Sequence, residues 1–154
     1  MVKYRLQLIA KELMAELMSV DEASLRRVAV AVSMLALQRS GLESPVVNKA
    51  LEYLNEGRLV PQRIRTDLED LVDQLDEKYF DLKEAAEAAD KGDEMWHPEF
   101  HQARAAAAVF FVCEEDPLLA ASESAYEASV AAHDDPQSVK RVIGKALRPL
   151  EFRD

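Results

Sequence analysis

Apolar residues recur at helical spacing along most of the chain. Leu25, Val28, Val32 and Leu35 form one stripe, and Ile64, Leu68, Leu71, Leu75, Tyr79 and Leu82 form a second. The three- and four-residue steps in both place the side chains on one face of an α-helix. No segment sustains the period-two alternation of β-branched residues that marks a strand. Helix starts are spelled out between the stripes. Ser44-Pro45, Asp116-Pro117 and Asp135-Pro136 each set an N-cap side chain before a proline at the first helical position, where the missing N–H costs nothing. Ser19 and Glu22 have the spacing of a capping box, and Pro61 and Pro98 mark two further starts. Gly41, Gly57 and Gly92 supply stops.

This punctuation predicts about seven helices, over 3–18, 20–40, 45–56, 61–90, 98–113, 117–132 and 136–148. Short connections predict antiparallel hairpins, and so an all-α bundle in which residues 1–154 form a single domain. Its core is expected to draw on Leu25, Val28, Val32, Leu35, Leu51, Leu68, Leu71, Leu75, Val109, Val112 and Tyr126. The alanine-rich run 103–109 predicts a central helix, because small side chains let neighbours approach closely.

Composition supports this picture. A chain of 154 residues, 49% apolar, buries a real core without disulfide or metal staples, and four glycines and six prolines leave little for long loops. The one cysteine, Cys113, follows an apolar run with no histidine or cation cluster beside it, which predicts an inert packed thiol. The first residues lack the apolar core of a secretion signal, and the longest apolar runs are too short to span a bilayer, so a cytoplasmic location away from membranes is expected.

Charge narrows the choice of partner. With 29 acids against 19 bases the net charge is −10, which disfavours nucleic-acid phosphates and anionic lipid and favours basic partners. Most of the excess lies in one place. Between Asp67 and Asp90 stand ten acids and only two bases, Lys78 and Lys83.

Catalytic and metal-binding motifs are incomplete. His97 and His101 have the four-residue spacing of half a zinc site, but Pro98 starts a helix between them. Glu94 and His97 spell one Glu-x-x-His pair of a di-iron bundle, whose second pair is missing. His133-Asp134 has the order of a metal phosphohydrolase dipeptide but is followed by Asp135-Pro136, a turn and a helix cap. A small metal-dependent hydrolase or metal-binding helical bundle using His97, His101 and Asp134 is the alternative these residues define. No nucleophile elbow or phosphate-cradling glycine loop occurs, and neither a resident metal nor a cofactor is expected.

The acidic segment Leu68-Glu69-Asp70-Leu71-Val72-Asp73-Gln74-Leu75-Asp76, with the alanine-rich 103–109 run and Asp116-Pro117, resembles the bacterial all-helical immunity proteins that neutralise toxins of polymorphic or contact-dependent systems. The resemblance implies a binding protein and carries no site residues with it. The residues themselves nominate a surface. If Leu68, Leu71, Leu75 and Leu82 turn inward, then Glu69, Asp70, Asp73, Asp76 and Glu77 fall on the flanks and outer face. Phe80, off the apolar stripe, is the expected aromatic anchor for a basic protein partner.

Overall fold

The computed structural model describes residues 4–89 and 98–148. After a 3₁₀ turn over Arg5–Leu8 come seven helices: α1 (Lys11–Met18), α2 (Glu22–Ser40), α3 (Pro45–Asn55), α4 (Gln62–Ala88), α5 (Pro98–Val112), α6 (Pro117–Ala131) and α7 (Pro136–Leu147). There is no strand among the described residues, and none of their helices is long and apolar enough to cross a membrane.

The proline-marked starts open α3, α6 and α7. Asp116 Oδ1 accepts the amides of Leu118 and Leu119 at 3.0 and 3.3 Å, and Asp135 Oδ1 accepts that of Ser138 at 3.1 Å. Ser44 holds the N-cap position of α3 without a side-chain bond. Gly41, in the left-handed region at φ 70°, closes α2, a conformation that costs glycine nothing. Gly92 lies outside the described residues.

Two local expectations are corrected. The capping box does not form: Asp21 caps α2 by accepting the Ser24 amide at 2.7 Å. Ser19 Oγ instead donates to the Glu16 carbonyl at 2.7 Å, closing α1. The single helix expected over 3–18 is also interrupted, at Ile9 and Ala10. The interruption lets Tyr4 and Leu6 join the same core as Leu13, Met14 and Leu17 while Arg5 reaches two carboxylates on α6. Tertiary burial and ion pairing override helical continuity there.

Helices α2, α5 and α6 pack on one another at the centre, with α7 against α2, α4 against α5, and the N-terminal turn with α1 against α6. The main core joins Leu25, Val28, Val32 and Leu35 of α2 to small residues of α5 and α6 and to Val139 and Ile143 of α7. A second cluster joins Val47 and Ala50 of α3 and Ile64 and Leu68 of α4 to Val109 and Cys113. Helix α5 belongs to both, as its alanine run predicts. Its contact with α6 is close enough for Ser124 Oγ to donate to the Ala108 carbonyl at 2.9 Å, satisfying a buried hydroxyl.

The second core is thin, and this corrects the expectation for α4. Only Ile64, Leu68 and Ala86 are fully buried on that helix; Leu71, Leu75 and Tyr79 are half-buried, and Leu82 is 37% exposed. The α3–α4 cluster holds Ile64 and Leu68, with Leu71 at its edge and no α4 residue beyond. Leu82 lies outside both core clusters of the described residues. Leu51 and Tyr126 are likewise half-buried.

Candidate functional site

The α4 helix faces the bundle along Ile64, Leu68, Val72, Asp76 and Tyr79, and everything opposite is exposed. Glu69, Asp70, Asp73 and Glu77 stand on the exposed side. Asp73, Glu77, Phe80 and Glu84 follow one another at steps of four, three and four, so they share one ridge. Phe80 is 61% exposed within that ridge. Of the six residues nominated for partner binding, five are exposed and Asp76 is turned inward.

Asp76 opens a partly buried chain of charges. Both its carboxylate oxygens accept from Arg104 of α5, at 3.0 and 2.7 Å. Arg104 also donates to Glu127 Oε2 of α6 at 3.0 Å. The other oxygen of Glu127 accepts from Arg5 at 2.7 Å, and Arg5 Nε donates to Glu123 at 2.7 Å. Asp76, Arg104, Glu127, Arg5 and Glu123 thus alternate in sign across four elements. Glu127, at the centre, is 1% exposed. Burial alone would lower the Arg5 pKa, but the hydrogen bonds and charges of Glu123 and Glu127 outweigh it and raise the value above that of an ordinary guanidinium. Its guanidinium carbon also lies 4.4 Å from the ring centroid of Tyr126, a cation–π contact.

This chain floors a cleft of about 290 Å³ whose walls include Tyr79, Phe80, Phe100 and Tyr126. Tyr79 and Phe100 are 5.0 Å apart between centroids. Among the described residues that line the cleft, the carboxylates of Asp76 and Glu127 balance the guanidiniums of Arg5 and Arg104. Each carboxylate accepts hydrogen bonds from a permanently charged arginine, so these groups are ion-paired acceptors. Phe80 belongs both to the cleft wall and to the acidic ridge, which makes the two surfaces continuous.

Beyond the cleft, the rings of His101 and His133 lie 3.8 Å apart. Desolvation, and then the charge of His133, lower the His101 pKa, against the opposing effects of the Val130 carbonyl and Asp134. His133 and Asp134 both adopt left-handed φ values, 60° and 57°, in the turn that ends α6, and Asp135 goes on to cap α7. Among the described residues no group of three or more histidine, cysteine or acidic side chains is placed to hold a metal ion. His97 lies outside them. Cys113 is buried, and desolvation pushes its thiol pKa up to about 11, which keeps it protonated near neutrality.

Arg5, Arg104, Glu123 and Glu127 were not nominated by the sequence reading, yet a signal for three of them is there. Glu123 and Glu127 are the only charges on α6, four residues apart among alanines and serines, and Arg104 interrupts the alanine run of α5. A lone charge on a helix that is otherwise small and apolar implies a buried partner, since charges are almost never buried unpaired. Arg5 has no comparable signature. Comparison of the chain with family models, curated proteins and solved structures finds no match.

Proposed function

We propose that this chain is an acidic helical binding protein that docks a basic protein partner on the outer face of α4, in the manner of an immunity-type inhibitor of a basic toxin or enzyme. The observation that carries the reading is Phe80, a large aromatic side chain 61% exposed in a ridge of carboxylates and continuous with an aromatic cleft. The carboxylates speed encounter with a cationic surface, and a buried aromatic supplies the short-range affinity that charge alone does not. Glu69, Asp70, Asp73, Glu77 and Phe80 form the contact surface, and Asp76 serves it by anchoring α4 to Arg104.

The test compares wild type with an Asp70→Asn/Asp73→Asn/Glu77→Gln/Phe80→Ala variant as baits in a lysate of the source organism. Asp76 is left unchanged so that the partly buried chain stays intact. The expected result is a basic protein retained by wild type, released as salt shortens the Debye length from about 8 Å at physiological ionic strength, and lost by the variant. Equal capture by both baits at every salt concentration would sink the reading.

A further inference from the structure

A second surface has the opposite electrostatic character. Along α2, two adjoining lobes of a groove share Arg26, Val30 and Leu54 and have volumes of about 380 and 520 Å³. Val30, Ala31, Leu54, Val142 and Ala146 form the apolar floor of the larger lobe. Among the described residues its charged lining is Arg26, Arg27 and Lys145, without a carboxylate. The smaller lobe continues over Leu59, Val60 and Cys113, and Leu59 is 77% exposed there. Arg58, Glu114 and Glu115 complete its charged lining, and Arg58 pairs with Glu56.

The hydrogen bonds that Arg26 and Arg27 make go to uncharged acceptors, although the Asp21 carboxylate lies close enough to Arg27 to feel its charge. Arg26 donates to the carbonyls of Val112, Glu114 and Glu115, capping the end of α5. Arg27 donates to the Ala146 carbonyl at 3.4 Å and to Ser24 Oγ at 3.0 Å. All of these acceptors are uncharged. In a protein of net charge −10, a cluster of positive charge over an apolar floor is a local reversal of the average.

We propose that this groove binds a single-chain amphiphile with a compact anionic head group. The head lies among Arg26, Arg27 and Lys145, and the chain runs over Leu54 towards Leu59 and Val60. The polarity of binding follows from the carboxylates: Glu114 and Glu115 repel an anion in the smaller lobe, and among the described residues the larger lobe has none. Net charge selects the size of the ligand. An acidic polypeptide is repelled as a whole by the −10 charge, whereas a monoanion interacts mainly with cations within a Debye length of its head group. The combined groove has the dimensions and the mainly apolar lining of a small-molecule site, with a few charged groups to fix orientation.

The probe is decanoate, titrated calorimetrically into the intact protein below its micellar concentration, with octanoate and dodecanoate for chain length. Affinity is expected to rise about two- to fourfold per methylene, as burial of an apolar chain requires. Decanol and decyltrimethylammonium should bind at least about tenfold more weakly than decanoate, because they forgo charge-assisted hydrogen bonds. Lys145→Glu/Asn55→Glu changes two exposed positions of the larger lobe and should weaken decanoate about tenfold or more while leaving decanol unchanged. Circular dichroism of the variant checks that the helices persist. Decanoate binding no tighter than decanol, or indifferent to the double variant, would overturn the proposal. So would tighter binding of an acidic amphipathic peptide than of decanoate.

Discussion

Helices α4 and α6 carry carboxylates in opposite circumstances. On α4 the acids are many and exposed: Glu69, Asp70, Asp73, Glu77, Asp81, Glu84 and Glu87 all face solvent. On α6 there are two, Glu123 and Glu127, both buried and both held by arginine. Charge on α4 is a property of a surface, felt at a distance and screened by salt. Charge on α6 is a property of the packing, because Glu127 joins α5 and the N-terminal turn through Arg104 and Arg5. The number of carboxylates on a helix is thus a poor guide to how much the fold depends on them. Burial and partners decide.

The sharpest way to break this contrast is Glu127→Ala. Arg5 and Arg104 keep Glu123 and Asp76 as partners, but each loses a charge-assisted hydrogen bond to the buried Glu127 carboxylate, a loss of about 1.5–3 kcal/mol. Urea unfolding should show a large drop in midpoint. A loss below about 1 kcal/mol would mean that Arg5 and Arg104 escape to water and that α6 is no different from α4. The companion measurement neutralises α4 with Asp70→Asn/Asp73→Asn/Glu77→Gln. Like charges at helical spacing repel by about 0.2–0.5 kcal/mol per pair, so this variant should be as stable as wild type or slightly more so. The difference should vanish in high salt. A clear destabilisation would show that the ridge acids have structural partners.

The smallest expected effect concerns His101, on the face of α5 towards the end of α6. Its pKa is lowered in the folded state, so the unfolded chain binds the proton more readily. Stability is therefore expected to decline as pH falls below about 6.5, the ordinary histidine value, and to level off below the folded-state pKa. Melting curves of wild type and His101→Gln between pH 7.5 and 5 read this directly. The variant should show a shallower decline, and parallel curves would remove His101 as the cause.

Several features of the molecule were legible in the residue order because they depend on neighbours a few positions away. Asp116-Pro117 and Asp135-Pro136 start helices through bonds to amides two and three residues on, wherever the helices later pack. The all-α class, the boundaries of α3, α5, α6 and α7 to within a residue or so, and the central place of the alanine-rich helix follow from the same short-range logic. Caps without prolines were less legible. Ser19 and Asp21 compete for one helix start, and a residue's place at the end of α1 or the beginning of α2 depends on where the preceding helix stops.

Tertiary structure alone decided which charges meet. Arg5 and Glu127 are 122 residues apart, and no local pattern relates them. Their pairing goes with the break at Ile9 and Ala10, a departure from helical continuity that short-range periodicity does not announce. The half-exposure of the α4 stripe is equally non-local: Leu71 and Leu82 have the right spacing for a core, but Leu71 stands at the edge of the α3–α4 cluster and Leu82 outside it. The groove of Arg26, Arg27 and Lys145 joins α2 to α7 across more than a hundred residues of sequence, and so it had no signature at all. Helical periodicity and capping act over one or two turns, and the residue order determines them directly. Burial and ion pairing act between elements, and only the packed chain settles them.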